Sequence, residues 1–155
     1  MTRLRAATAW ASGASTPQGL VEAGTVVRYK GRPGKLRMAA WQRTHTCGAL
    51  RADLIDATVV LNGWIENHRH HGALLFVDVR DRYGVTQVVF QQEFDGALFE
   101  AARRLGAEDV ISVRGALCKR STETVNPNMP TGMVELYARE LEILNPSVPP
   151  PFTID

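Results

Sequence analysis

The sequence predicts an all-β fold, a small barrel or sandwich that carries one helix. From Asp56 onward, runs rich in β-branched residues are separated by Gly, Pro, Asn and Asp, as in short strands joined by turns. One stretch, residues 92–105, has the 3.6-residue period of a helix instead. The length of 155 residues is that of a single domain. No apolar run approaches the roughly 18 residues of a membrane span, so we expect no membrane association.

Residues 1–42 differ from the rest in composition, and we predict that they form a disordered extension. They are rich in Ala, Gly, Ser, Thr and Arg and have no sustained period of 2 or 3.6 residues. An alternative that stays open is a start codon assigned too early, with the natural chain beginning at Met38. We predict one folded domain over residues 43–145. Residues 146–155 contain four prolines and are predicted to form a stiff, extended linker.

The net charge of +2 hides an uneven distribution. Residues 1–43 contain eight Lys or Arg and one acid, whereas residues 44–155 contain ten Lys or Arg and fifteen Asp or Glu. The predicted domain is therefore net negative and cannot bind a polyanion by bulk attraction. Any binding of nucleic acid has to come from local basic clusters and from stacking.

The first three predicted strands form a meander. The first, residues 57–67, is long and has Gly63 in its middle, which indicates a bulge or tight bend that lets one strand serve both sides of a closing barrel. A turn over residues 70–73 leads to a strand at 74–81. The turn at 81–84 then leads to the third strand, at 85–90.

One helix is predicted between the third and fourth strands. Its apolar face consists of five residues at helical spacing: Phe94, Leu98, Ala101, Ala102 and Leu105. Gly106 is placed to end it. Strands at 110–119 and 133–144 follow, separated by a polar loop. The order β-β-β-α-β-β with a long, bent first strand is that of the five-stranded Greek-key barrel called the OB-fold, which commonly binds single-stranded nucleic acid or oligosaccharide.

The motifs of catalysis are missing from the sequence. There is no P-loop, no GxSxG, no HExxH and no GxGxxG after a strand, so we predict no catalytic residue. Cys47 and Cys118 have neither CxxC spacing nor evident metal partners. We expect them to persist as thiols in a reducing compartment.

Alternation along the second predicted strand places an aromatic side chain on the outer face. Leu75, Val77 and Val79 share the inner face, so Phe76 lies on the other face beside Asp78. A ring in that position is a candidate platform for a stacked base. The alternative is that Phe76 covers a second small core beneath the helix or a loop.

Two polar side chains are candidates for reading a base. Gln87 lies on the strand that forms a hairpin with the Phe76 strand, and its amide offers a donor and an acceptor on one plane. Glu135 alternates with Tyr137 and Arg139 on one face of the last strand and could accept from a cytosine amino group. A solvated Gln87 and a simple Glu135–Arg139 ion pair are the alternatives.

The segment NHRHH at residues 67–71 holds three of the four histidines. It lacks the Cys or carboxylate companions and the separate second ligand pair of a structural zinc site, so we predict no metal. A turn above a binding face, with Arg69 as a phosphate or base ligand, fits the barrel better. The nearby charges are predicted to neutralise one another at the surface: Asp78, Arg80, Asp81 and Arg82.

Three blocks in the right order resemble the N-terminal anticodon-binding domain of bacterial-type aspartyl-tRNA synthetase. They are RTHTCGAL at 43–50, LNGWIENHRHHGALLFVDVRDRYGVTQVVF at 61–90 and NPNMPTGMVELYARELEILNPSVPPPF at 126–152. The RTHTCG opening and the NPNMPTG segment resemble the aspartyl enzyme more than its lysyl and asparaginyl relatives, which share the OB-fold.

The resemblance implies a role for each of five residues. It implies that Phe76 stacks on the central uridine of the anticodon and that Gln87 hydrogen-bonds to the same base. It also implies that Arg69 contacts the anticodon loop and that Arg120 and Glu135 read the flanking bases. The expected partner is then the anticodon loop of aspartate tRNA. A free-standing OB-fold protein that binds single strands without preference is the alternative.

The resemblance also implies that catalysis belongs to another domain. In the family, a class II aminoacylation domain with the ATP and Mg sites follows the linker, so we expect no cofactor in these residues. We expect the chain alone to form no aspartyl-adenylate. The family's enzymes are cytoplasmic homodimers, which implies a cytoplasmic location and a dimeric parent, and we expect the isolated domain to be a monomer.

Overall fold

Six strands and one α-helix make up the part of the chain that this computed structural model describes, residues 26–29 and 42–148. A short 3-10 helix, Ala52–Leu54, precedes the long strands. In chain order the elements are β1 (Val26–Tyr29), β2 (Thr58–His71), β3 (Leu74–Asp81), β4 (Gly84–Gln91), α1 (Gly96–Arg103), β5 (Val110–Lys119) and β6 (Val134–Asn145).

Strands β2 to β6 close into a ring. β2 pairs antiparallel with β5 along residues 58–64 and with β3 along residues 64–71, so it serves both sides of the barrel as predicted. β3 pairs with β4, and β5 with β6, both antiparallel. A short parallel contact between Val88 and Val89 of β4 and Leu136 and Tyr137 of β6 completes the ring. The predicted fold class is confirmed, including the helix between the third and fourth barrel strands.

The bend in β2 differs in detail from the prediction. The register shift that marks the bulge lies between Ile65 and Asn67, not at Gly63. At Gly63 a side chain is excluded because a Cβ there would overlap the main-chain carbonyl of Arg80 on β3. β2 also continues through His71. The predicted four-residue turn is therefore a two-residue turn that begins at Gly72, whose φ is +59°.

We expect Gly63→Ala to destabilise the barrel by roughly 1–3 kcal/mol or more, because the added methyl meets main chain that cannot move aside. Gly96→Ala is the matched control. Gly96 begins α1, and a methyl group added to it would meet nothing within 4 Å, so this change should be neutral or stabilising by about 0.4–1 kcal/mol. Urea unfolding of the two variants measures the difference. Equal midpoints would contradict the close-packing account of Gly63.

The helix is shorter than predicted and buries a partly different set of residues. The Asp95 side chain accepts a hydrogen bond from the Leu98 amide at 2.9 Å and caps the helix, which begins at Gly96. Phe94 therefore precedes the helix and is 56% exposed, so its predicted place on the apolar face is wrong. Phe99, 1% exposed, is buried instead. The other four predicted residues are buried: Leu98, Ala101, Ala102 and Leu105.

One strand lies inside the stretch that the sequence predicts to be disordered. β1 runs parallel to β6, with Val26 opposite Glu140 and Tyr29 opposite Ile143. β4 pairs with β6 only at Leu136 and Tyr137 of β6, so β1 lies along a part of β6 that does not pair with β4. Such main-chain pairing needs no local hydrophobic period, which is why the sequence pattern does not reveal it. The rest of the predicted extension up to residue 41, and residues 149–155 of the predicted linker, lie outside the described residues.

The barrel interior contains the inner residues of every barrel strand. On β3 these are Leu75, Val77 and Val79, all at most 1% exposed, as the alternation predicts.

Cys47 and Cys118 are free thiols, and burial raises the pKa of Cys47 to about 12. Within the described residues, no helix has the length and apolar character needed to cross a membrane.

Candidate nucleic-acid interface

Phe76 lies at the centre of the outer face formed by β2, β3, β4 and β6. Its cross-strand neighbours are Arg69 on β2 and Val89 on β4, and Val89 is in turn opposite Tyr137 on β6. The side chain of Phe76 is half-buried, and it is absent from the core cluster inside the barrel. The ring is therefore on the face where sequence alternation places it.

Gln87 connects two other predicted site residues. Its Oε1 accepts a hydrogen bond from Nη2 of Arg69 at 3.1 Å, and its Nε2 donates to Oε2 of Glu135 at 3.0 Å. Only 7% of Gln87 is exposed, so the alternative of a solvated glutamine is wrong. An amide has two N–H groups and two acceptor lone pairs. Gln87 therefore retains one donor and one acceptor for a ligand after both protein contacts are made.

Glu135 is the carboxylate through which Gln87 is connected to Tyr137 and Arg120. Its Oε1 accepts from the Tyr137 hydroxyl at 2.9 Å, and its Oε2 lies 3.9 Å from Nε of Arg120. Burial, followed by the neighbouring carboxylate, raises the pKa of Tyr137, so the hydroxyl stays protonated as a donor. The predicted alternative of a Glu135–Arg139 ion pair is wrong, because Glu135 is bound by Gln87, Tyr137 and Arg120.

Arg120 is a buried residue, 4% exposed, that joins the β5–β6 loop to β6. Its Nε donates to the carbonyl of Val134 at 3.0 Å, and its Nη1 donates to the carbonyl of Thr124 at 3.4 Å. Nη2 is buried without a hydrogen-bond partner. Burial lowers the pKa of the guanidinium, although Glu135 opposes the shift. The loop is held by this side chain, which also keeps one donor unused.

The charged residues of β3 pair with other elements rather than with one another. Asp78 lies opposite Gln87 and is 3.5 Å from Nη2 of Arg69. Arg80 pairs with Glu108 at 2.6 Å, and Asp81 accepts from the main-chain amide of Cys47 at 2.8 Å. The predicted self-neutralised cluster is therefore wrong, because barrel closure supplies partners that are distant in sequence.

Burial raises the pKa of Asp78, whereas Arg69 and Arg120 lower it. A carboxyl whose pKa is higher in the folded state favours folding at low pH and loses that advantage as the pH rises above the ordinary Asp range, about 3.9. We therefore expect Asp78→Asn to raise the melting temperature at pH 7, and we expect the gain to shrink towards pH 3.5. Thermal unfolding of both proteins across that range is the measurement. A gain that is constant with pH would contradict this account.

The histidines occupy the end of β2 rather than a turn. His70 is directed towards the helix, with its ring centroid 5.7 Å from that of Phe99.

Among residues 42–148 and 26–29, no group of three or more His, Cys, Asp or Glu side chains could hold a metal ion. Asp78 and Tyr137 also belong to the network, although neither is among the predicted site residues. The period-2 alternation that placed Phe76 and Glu135 on the face also applies to these two residues.

The face combines an aromatic ring with a row of polar groups beside it. The network Arg69–Gln87–Glu135–Arg120 brings together four of the five predicted site residues, and Phe76 is adjacent to Arg69. Such a surface can stack a base and present donors and acceptors to its edge.

Comparison with known proteins connects this face to a family. A family model described as an OB-fold nucleic acid binding domain, of the tRNA anticodon type, matches residues 59–144. The chain is 52% identical over 112 residues to an aspartate–tRNA(Asp/Asn) ligase of Salinibacter ruber, and 47% identical over 113 residues to an aspartate–tRNA ligase of Bacteroides fragilis. These alignments cover 72% and 73% of this chain but only 18% and 19% of the relatives. The chain thus spans about a fifth of their length.

Solved structures have the same fold. An asparaginyl-tRNA synthetase from Pyrococcus horikoshii superposes with a TM-score of 0.59 at 25% identity, over 71% of this chain and 24% of that chain. The similarity again covers one domain of a longer protein.

Proposed function

The chain belongs to the family of OB-fold nucleic acid binding domains, and on that premise we propose that its outer face binds the anticodon loop of an aspartate tRNA. The observation that carries the proposal is the hydrogen-bonded row from Arg69 through Gln87 to Glu135, next to the ring of Phe76. In the proposed complex the central anticodon base stacks on Phe76, and the free donor and acceptor of Gln87 bind its edge.

The flanking anticodon bases are assigned to Glu135 and Arg120, which are neighbours at one end of the network. Glu135 offers carboxylate lone pairs to a base amino group, and the unused Nη2 of Arg120 offers a donor. Both residues are buried, with 4% of Arg120 and 7% of Glu135 exposed, which fixes their geometry before RNA arrives. Preorganised polar groups of this kind favour a matching base edge and penalise one that leaves them unpaired.

The relatives' names motivate a proposal about the whole protein. We propose that this domain serves an aspartate–tRNA ligase in translation, a cytoplasmic homodimer whose ATP and Mg sites belong to a domain outside the 155 residues. The separate domain then binds as a monomer.

Arg69 offers the first test, since it donates to Gln87 and to Asp78 at once. We expect Arg69→Ala to weaken binding of an aspartate-tRNA anticodon stem-loop and also to reduce the preference for the central base, because Gln87 loses the donor that orients it. A side chain that contacts only phosphate would weaken all stem-loops equally. Fluorescence anisotropy with stem-loops that differ only in the central base separates the two cases.

The control is Arg103→Ala, which removes an equal charge from the helix, where Arg103 pairs with Glu100 at 3.0 Å. It should bind like the parent chain. A parent chain that binds every single-stranded RNA of equal length with equal affinity would refute anticodon recognition and favour the free-standing single-strand binder.

A further inference from the structure

Arg139 and Phe94 form a stacked pair at the edge of the same face. The guanidinium carbon of Arg139 lies 3.6 Å from the ring centroid of Phe94. Phe94 is 56% exposed, although it is a large apolar residue, and Arg139 is partly exposed. Removing the Phe94 side chain therefore costs the barrel little, and the pair is accessible to a ligand.

Arg139 has no acidic partner among residues 42–148. β6 carries three carboxylates: Glu135 is bound by Gln87 and Tyr137, Glu140 pairs with Arg114 at 3.6 Å, and Glu142 is buried and forms no ion pair with Arg139. Its Nε is buried without a hydrogen-bond partner. Two of the four buried polar atoms that lack a partner in the described structure are guanidinium nitrogens of this face, Arg120 Nη2 and Arg139 Nε. An unpaired cation held by an aromatic ring indicates a site for an anion.

The pair lies next to the proposed base platform. Tyr137 is opposite Val89, which is opposite Phe76, and Arg139 follows Tyr137 by two residues, at a register shift where it has no partner on β5. Two strand spacings of roughly 4.8 Å and two residues of roughly 3.3 Å along β6 place Arg139 about 12 Å from Phe76. OB-folds bind roughly 4–16 nucleotides, so a nucleotide next to the one on Phe76 must contact further protein surface. The Phe94–Arg139 pair is in position to provide it.

We propose that the Phe94–Arg139 pair is an additional RNA subsite, in which Arg139 binds a backbone phosphate next to the central anticodon nucleotide. This inference rests on the proposed function. Phe94 holds the guanidinium plane by cation–π contact, so that the terminal N–H groups at its edge form a preset fork for two phosphate oxygens. Because a phosphate carries no base identity, the subsite adds affinity without sequence preference.

The test uses the full chain and synthetic anticodon stem-loops. Arg139→Ala should weaken binding about tenfold, equally for cognate and altered central bases, and should lower the slope of log affinity against log salt by about one. Arg103→Ala removes the same charge from the helix and should change neither. Phe94→Leu keeps Arg139 but removes the aromatic ring that holds its guanidinium, and it should show a smaller loss of affinity for the stem-loop. If Arg139→Ala strongly lowers the melting temperature, Phe94→Leu is the variant that tests the subsite.

Neutral methylphosphonate linkages identify the phosphate. The linkages are introduced one at a time into the stem-loop. The neutral linkage beside the central nucleotide should weaken binding to the parent chain but not to Arg139→Ala. The subsite is refuted if Arg139→Ala binds the stem-loop like the parent chain. It is also refuted if Arg139→Ala loses the same affinity, relative to the parent chain, with every neutral linkage as with the natural RNA. Neither result affects central-base selectivity. A parent chain without affinity for the stem-loop overturns the proposed function and the subsite together.

Discussion

Phe76→Ala is expected to weaken binding of the cognate anticodon stem-loop by roughly 1–3 kcal/mol, the range of base–aromatic stacks. The loss should be similar for every central base, because each base has a π-face. Phe76 is half-buried on the outer face, outside the core cluster, so the variant should still fold. Tyr83→Ala is the matched control, since Tyr83 is 54% exposed in the β3–β4 turn and should not affect binding.

Gln87→Ala complements this measurement with an effect on selectivity. It should cost less affinity than Phe76→Ala but should remove most of the preference for uridine over cytidine at the central position, because stacking tolerates any base whereas amide hydrogen bonds do not. Gln42→Ala, at an exposed position, is the control. Retained uridine preference in Gln87→Ala, or parent-like affinity in Phe76→Ala, would exclude this face as the anticodon platform.

Arg120→Met is expected to have the largest effect on stability, a loss of roughly 3–5 kcal/mol. It keeps much of the side-chain volume but leaves the carbonyl of Val134 unpaired and Glu135 buried without its cation. Arg114→Met is the control, since Arg114 is 45% exposed in its ion pair with Glu140, and such surface pairs contribute about 0–1 kcal/mol. Chemical denaturation measures both variants.

The double variant tests why Arg120 stabilises the barrel. In a Glu135→Gln background, Arg120→Met should cost less than it does in the parent chain, because no buried carboxylate is then left without a counter-charge. Strictly additive losses would show that Arg120 acts only through its main-chain contacts. The distinction bears on recognition, since a side chain that has to hold the loop is constrained in how it can bind a base.

Local patterns in the sequence determined the order of the barrel strands and the face on which each side chain lies. Period-2 alternation placed Leu75, Val77 and Val79 inside and Phe76 outside, and the same rule applies to Glu135 on β6. The helix was less predictable at its start, because the cap at Asp95, rather than the hydrophobic period, decides that Phe94 is outside it.

Only the tertiary structure decided which outer side chains meet. Gln87 and Glu135 are 48 residues apart, and Arg69 and Gln87 are 18 apart, so their hydrogen bonds exist because the β4–β6 and β2–β3–β4 pairings close the barrel. The burial of Arg120 and the addition of β1 to β6 likewise depend on neighbours that are distant in the chain. Alternation is a property of one strand and is written in adjacent residues. Register and closure are set by the packing of the whole barrel, which no local pattern contains.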